Sequence, residues 1–362
     1  MNEIKILHVI ARMNVGGTAK YVSDLLSKFP NSALATGYVQ GMEIEDDGLK
    51  NLQVFRIPHL GRRISLRNDY LAWKELRKLV REFDPDVLHT HTFKAGLVGR
   101  LIPGRHKRVH TFHGHLFHDR SFNPIEIWVI KIVERYLARR TDILISVGEK
   151  VGVQMRSAGI GRRNKWLSVP PGIQMPKKIE RTEARKLLKL DSKDFLVGWM
   201  GRMVSVKNPM SLITIAQLLP EITFVMAGGG DLLDEVTLRA PTNVLVKGWV
   251  DSNHFWSAVD CAISTSTNEG MPIALIEAQM SGIPVIATDV GSNAEVIENG
   301  ITGLITEENV NSQVEALKYL ISNTQVFDAM CRASQENSPT KFGLKKMLES
   351  HQKIYLELFE AN

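Results

Sequence analysis

Cysteine is scarce in this 362-residue chain. Cys261 and Cys331, 70 residues apart, offer neither a disulfide framework nor a close-spaced metal-ligand set. Both are expected to be buried free thiols in a reducing compartment. No window of eighteen apolar residues occurs, and the N-terminus lacks the basic stretch and apolar run of an export signal. The expectation is a cytoplasmic chain without a membrane span. There is no low-complexity tract and no repeat shorter than a domain. A Walker loop and a complete Gly-x-Gly-x-x-Gly are also missing, which excludes the usual kinase and NAD-enzyme patterns. Without an aromatic-interleaved RNA signature or zinc-finger spacing, nucleic acid is not expected as a partner.

What is present is a globular composition, 44% hydrophobic and 23% charged, in a chain longer than one ordinary core sustains. Two domains are expected. The net charge of +6 is unevenly spread: residues 1–172 hold 28 Lys/Arg against 16 Asp/Glu, and residues 173–362 hold 17 against 23. A basic first half predicts an anionic partner there, either a phospholipid surface or a phosphate-bearing substrate.

Residues 4–10 (IKILHVI) and 195–200 (FLVGWM) are short apolar runs, each followed by a glycine-containing turn and a helical pattern. Further apolar runs at 86–88, 108–112, 143–147, 223–227, 244–246, 261–265 and 284–287 alternate with amphipathic stretches. This pattern reads as parallel βαβ units, an α/β fold whose functional loops follow the carboxyl ends of the strands. Residues 169–176 (VPPGIQMP) read as a linker, with a charged helix over 181–189 and a terminal amphipathic helix in the last twenty residues. The expected division is 1–172, 173–340 and a C-terminal helix, 341–362.

Chemistry-bearing residues gather after these runs. Glu269 sits in the turn before a helix that starts near Pro272, and Glu277 lies inside that helix among apolar neighbours, where a ribose could satisfy its carboxylate. Taken alone, the pair reads equally well as a turn residue and a solvated helix residue. Arg202, directly after residues 195–200, and Lys207, where Lys207-Asn208-Pro209 opens the next helix, suggest a diphosphate cradle with the N–H groups of Gly270, Met271 and Ile273. Such a cradle needs no metal. The glycines of residues 227–231 (AGGGD), Gly229 among them, would admit a nucleotide close to the backbone, and Trp249-Val250 either walls a base site or packs in the core.

In the first half, Gly16 and Gly17 close the first βα turn, where their N–H groups could hold phosphate or sugar hydroxyls. His89, His91 and Lys94 follow one run, and His110, His113 and His115 another. Alternation sends His89 and His91 to one face, but no cysteine or carboxylate joins them at zinc spacing, so no metal is expected. His89 and His110 are read as core residues, and His91, Lys94 and His115 as groups for a sugar phosphate. Asp84-Pro85-Asp86 precedes a strand and reads as a turn.

Together these residues resemble the retaining glycosyltransferases of family four, over nearly the whole chain. Glu269 and Glu277 match that family's Glu-x7-Glu element. Gly201-Arg202 with Lys207-Asn208-Pro209 matches its phosphate-binding loop, and Ala294-Glu295-Val296-Ile297 with Gly300 and Gly303 looks like its closing motif. The resemblance implies the GT-B fold, two Rossmann-like domains facing across a cleft. The N-terminal domain would bind acceptor, the C-terminal domain would bind nucleotide-sugar, and the last helix would pack back toward the first domain. It implies that Glu277 binds the donor ribose, Glu269 contacts the transferred sugar beside His113, and Arg202 and Lys207 bind the diphosphate without a metal or other cofactor. Lys207→Ala is then expected to cripple turnover while leaving the fold intact.

The His-Thr-His-Thr-Phe-Lys-Ala-Gly and His-Thr-Phe-His-Gly-His segments look like those of bacterial enzymes that build surface polysaccharides, which implies a UDP-sugar donor. The implied acceptor is a glycan or a sugar on polyprenyl diphosphate at the inner membrane face. Peripheral contact with anionic lipid would then involve Arg62, Arg63, Arg67, Lys74, Arg77, Lys78 and Arg81, along an amphipathic helix with Tyr70 and Trp73, and these cations read equally well as the solvated face of a helix that packs on its sheet. A UDP-sugar 2-epimerase of related fold and a non-catalytic nucleotide-sugar-binding subunit are the rival readings.

Overall fold

The computed structural model describes residues 4–41, 43–50, 52–61, 64–114, 117, 123–190 and 194–360. The chain divides into two compact units, one of residues 1–172 with 345–362 and one of residues 173–344. Among the described residues the strands are β1 (Ile6–Ile10), β2 (Ser32–Thr36), β3 (Val54–Arg56), β4 (Val87–His91), β5 (Lys107–Phe112), β6 (Ile143–Ser146) and β7 (Lys165–Ser168) in the first unit. The second unit has β8 (Leu196–Met200), β9 (Thr223–Ala227), β10 (Val244–Val246), β11 (Cys261–Ser264), β12 (Val285–Thr288) and β13 (Gly303–Thr306).

Both sheets are parallel, in the orders β3-β2-β1-β4-β5-β6-β7 and β10-β9-β8-β11-β12-β13. In each the order reverses beside the first strand, between β1 and β4 and between β8 and β11. Loops leaving the carboxyl ends diverge at such a point and leave a crevice for ligand.

The strands read as continuous apolar runs because helices cover both faces of a parallel sheet. In the second unit Val197, Phe224, Met226, Ile263 and Ile286 belong to one core cluster. Their chain neighbours Leu196, Val225, Ala227, Ala262, Val285 and Ala287 belong to the other, so the period of two splits each strand between two cores. Each fully buried aliphatic side chain contributes about 1.5–3 kcal/mol.

Four strands lie outside the apolar runs read from the sequence. β2 (SALAT) is wholly buried yet made of small and polar residues around Leu34, β3 and β7 are edge strands with partly exposed side chains, and β13 begins on a glycine. The 169–176 segment is packed: Val169 and Ile173 are buried, and Ile173 N–H donates to Phe342 O at 2.7 Å. The charged helix after it is shorter than expected, Arg181–Leu187. Asp84 ends helix Leu66–Phe83 in the left-handed region, and Asp86 accepts from Lys5 N–H at 2.8 Å, so this acidic pair builds a turn. Cys261 is buried, and Cys331 is partly buried.

The terminal helix, Leu344–Glu360, joins the first unit through polar groups as well as apolar ones. Tyr355 OH lies 2.7 Å from His89 Nδ1, Tyr21 OH 3.1 Å from His351 Nε2, and Lys165 Nζ donates to Glu357 at 2.5 Å.

Candidate active site

In the second unit the loops at the carboxyl ends are bonded to one another in the order of their strands. Gly228 N–H donates to Gly248 O at 2.7 Å, Gly201 N–H to Ala227 O at 3.0 Å, Met203 N–H to Gly229 O at 2.8 Å, and Thr267 N–H to Val206 O at 2.9 Å. Two glycines make this closeness possible. Gly228, at φ 126°, would bring a Cβ within 1.9 Å of Gly201 O, and Gly291, at φ 51°, within 1.8 Å of Glu269 O.

At the β8/β11 reversal Lys207 and Glu269 meet. Glu269 Oε1 accepts from Lys207 Nζ at 2.5 Å and from Ser266 Oγ at 2.7 Å, with the carboxylate side chain 8% exposed. Thr265 Oγ1 donates to Asn208 O at 2.8 Å and fixes the two loops beside this pair. Two helices begin here, Pro209–Leu218 with proline at its first turn and Ile273–Met280, with Pro272 capping the latter. Their unpaired N–H groups and dipoles favour negative charge. An ammonium, a carboxylate and two helix starts at a switch point can hold a polyanion on one side and sugar hydroxyls on the other.

Lys207 is therefore ion-paired, not a lone cation, and its removal would strand a nearly buried carboxylate. The expectation that Lys207→Ala leaves the fold intact is corrected accordingly. Glu277 is half-buried on helix Ile273–Met280, one turn after Ile273, and Arg202 is half-buried in the loop after β8. Trp249 is 48% exposed, and a Cβ on Gly229 would come within 2.7 Å of its Nε1. The indole lies over this glycine and is not packed in the core. Val250, Met271 and Ile273 pack against the core cluster instead, so Val250 does not share the indole's position.

In the first unit Gly16 caps helix Gly17–Lys28 at the β1/β4 reversal. Behind it lies a group of histidines that the sequence only half revealed. Register pairs His8 of β1 directly with His89 of β4, and His8, His89, His91 and His110 are all fully buried. His8 Nδ1 is 3.1 Å from His91 Nε2, and His91 Nδ1 is 3.1 Å from His113 Nε2. His89 reaches Thr111 Oγ1 at 2.8 Å, and His110 reaches Thr90 Oγ1 at 2.8 Å. Burial pushes His8 and His113 down to about 3 and His351 to about 4, and holds His89, His91 and His110 well below the usual imidazole range. The rings are neutral.

Neutral rings in a chain fix one another's tautomers. His8 Nε2 has no partner among the described residues, and a bare lone pair costs less there than an orphaned N–H. The proton therefore sits on His8 Nδ1 and is donated to His91. His91 donates from Nδ1 to His113 Nε2, which leaves His113 protonated at Nδ1.

His91 and Lys94 were expected on an open loop face. The structure places both inside the unit, His91 bonded at both nitrogens and Lys94 paired with Asp69. The strand continues through His91 and the next helix starts at Thr92, so these positions face inward. His115 lies outside the described residues. His8, His89 and His91 could hold a metal ion, with ligand atoms within 4.8 Å of one another, but hydrogen bonds occupy five of their six ring nitrogens. Sequence reasoning missed His8, Tyr21, His351 and Tyr355. The histidine in the apolar run 4–10 was the one available signal.

Two doubly wound parallel units are the architecture of the GT-B glycosyltransferases. The chain belongs to this family: residues 16–172 match the glycosyl transferase 4-like domain and residues 180–339 the glycosyl transferases group 1 domain. It is 26% identical to the Escherichia coli UDP-Gal:alpha-D-GlcNAc-diphosphoundecaprenol alpha-1,3-galactosyltransferase, over 99% of this chain and 98% of that one. In fold it is similar to sucrose-phosphate synthase from Thermosynechococcus elongatus, with TM-score 0.87, 17% identity, and 99% and 100% of the two chains covered. It is also similar to Anabaena HepE solved with UDP and glucose, with TM-score 0.84, 18% identity, and 98% and 99% covered.

Proposed function

We propose that this glycosyltransferase moves a sugar from a UDP-sugar to a sugar on polyprenyl diphosphate, with retention of configuration and without a metal ion. The observation that carries the reading is the Lys207–Glu269 pair at the β8/β11 reversal, flanked by two helix starts. When the bond from the anomeric carbon to the β-phosphate oxygen breaks, negative charge builds on that phosphate. Lys207, Arg202 and the N–H groups of Gly270, Met271 and Ile273 are the groups assigned to it. Paired with Lys207 and Ser266, Glu269 is a hydrogen-bond acceptor for the transferred sugar and not a free nucleophile.

Glu277 is assigned to the ribose, Trp249 over Gly229 to the base, and Gly16 and Gly17 to phosphate or sugar hydroxyls. His113, a neutral donor at Nδ1, is assigned to the transferred sugar. The donor and acceptor classes draw support from the Escherichia coli relative, whose name specifies UDP-galactose and a diphosphoundecaprenol-linked sugar. The test is thermal shift against UDP-, GDP-, ADP- and TDP-sugars in chelator, repeated with Glu277→Ala. A shift with UDP-sugars alone that Glu277→Ala abolishes is expected. A shift that needs divalent metal, or prefers another nucleotide, refutes the donor assignment. NMR of the product's anomeric proton tests retention.

A further inference from the structure

The hydrogen-bonded imidazoles of the first unit run from its interior to its surface. The inner end is His8 on β1, fully buried, and the outer end is His113 in the turn after β5, half-buried beside Gly114 at φ 136°. His91, the last residue of β4, is the link: its Nε2 lies 3.1 Å from His8 Nδ1 and its Nδ1 3.1 Å from His113 Nε2.

Rings outside this chain hold it in place. The His89 ring centre is 4.2 Å from that of His91, and His89 is fixed at both nitrogens, by the Tyr355 hydroxyl at 2.7 Å and Thr111 Oγ1 at 2.8 Å. Tyr21 stands perpendicular to His113 with ring centres 4.9 Å apart, and its hydroxyl is 3.1 Å from His351 Nε2. Tyr355 and His351 both come from helix Leu344–Glu360, so the terminal helix clamps the rings that flank the chain. Among the described residues neither His89 nor Tyr21 hydrogen-bonds to His113, and its ring state is decided through His91.

A neutral imidazole has one N–H and one lone pair, and the bond made by one nitrogen sets the state of the other. With Nε2 accepting from His91, His113 donates at Nδ1. The reverse direction along the chain would put an N–H on His8 Nε2, buried where no described residue accepts it.

We propose that His91, with His8 behind it, is a positioning residue for sugar transfer: it locks His113 as a hydrogen-bond donor, to which the transferred sugar must offer an acceptor oxygen. The inference rests on the assignment of His113 to that sugar and adds two fully buried residues that act through it. A donor whose direction is fixed beforehand needs no reorganisation when the sugar arrives.

The ring state is read by long-range proton–nitrogen NMR of the full chain, isotopically labelled in its histidine nitrogens, with the His113 signals assigned by their loss in His113→Ala. A protonated Nδ1 and a bare Nε2 on His113 are expected in the wild type, and the opposite pattern overturns the proposal. Asparagine places a polar atom where histidine has Nδ1, and glutamine where it has Nε2. His91→Asn therefore keeps a donor for His113 and should retain the wild-type pattern, with turnover within about threefold. His91→Gln keeps only the contact with His8. It should release His113 to mixed tautomers and lower kcat/KM for transfer from UDP-galactose about tenfold, the value of one hydrogen bond. Glutamine is closer to histidine in size, so a packing role for His91 gives the reverse order, and that order overturns the proposal. His91→Gln/His113→Ala should be no slower than His113→Ala alone, and losses that multiply overturn it as well. Where His91→Gln does not fold, the wild-type spectrum and His91→Asn decide. If the wild type transfers sugar from neither UDP-galactose nor another UDP-sugar, the functional reading fails, whereas the spectrum still reports the direction of the chain.

Discussion

Acidification between pH 7.5 and 5.5 is predicted to unfold the first unit selectively. Five histidines, His8, His89, His91, His110 and His351, are fully buried there, and all are held neutral well below the ordinary imidazole value. In the unfolded chain each would titrate near 6.5. A group whose folded value is depressed in this way keeps its proton off in the native state while the unfolded state takes one up. Stability is therefore lost as pH falls from about 6.5 toward the folded values near 3 to 4.

At pH 5.5 each contributes a loss of about 1.4 kcal/mol relative to neutral pH, so five together cost about 7 kcal/mol. This is comparable with the whole stability of a typical domain, about 5–15 kcal/mol. Asp24, pushed up to about 6 by burial, works in the opposite sense, and near pH 5.5 it offsets somewhat less than one proton. Among these groups unfolding at pH 5.5 should thus take up about four protons, and His113 and His106, pushed down to about 3 and about 4 by burial, add to the uptake. The second unit has one histidine, His254, among residues 173–344, so the cost of the buried cluster falls on the first unit. Urea unfolding at pH 7.5, 6.5 and 5.5, with hydrogen exchange read by mass spectrometry to assign each transition, measures this. A midpoint for the first unit that does not move across the range, or earlier loss of protection in residues 173–344, would refute the reasoning.

Other predictions concern the second unit. Lys207→Ala should lower kcat by about 100- to 1000-fold and also destabilise the unit, because Glu269 is left nearly buried and unpaired. Adding Glu269→Gln should recover the melting temperature without the activity, and a double variant as unstable as the single one would count against the ion-pair account. Gly291→Ala, with a Cβ within 1.8 Å of Glu269 O at positive φ, should cost more than about 2 kcal/mol in denaturant unfolding. A neutral result would mean that the loop yields freely. Trp249→Ala should leave the melting temperature unchanged while weakening donor affinity roughly tenfold by calorimetry, the value of one stacked base. Unaltered affinity would remove the indole from the base site.

Much of the fold was legible because buried parallel strands require apolar runs. β1, β4, β5, β6, β8, β9, β10, β11 and β12 sit where those runs are, and the Glu269 and Lys207 loops sit at their ends. β2 was hidden because Leu34 is its one large apolar side chain, and the Ser, Ala and Thr around it carry no run of hydrophobicity. β7 was hidden because an edge strand may leave its side chains half-exposed.

The sequence alone also determined the chemistry available at the second switch point, since the residue types and their spacing are local properties of two loops. Only the tertiary structure decided which of those groups are already engaged. Lys207 lies 62 residues from the carboxylate it pairs with, and His89 lies 266 residues from the tyrosine that fixes it. Burial separates a solvated cation from a neutralised one and a titrating imidazole from a permanently neutral one. Burial is a property of strand order and of the returning terminal helix, which the spacing of residues along the chain does not encode.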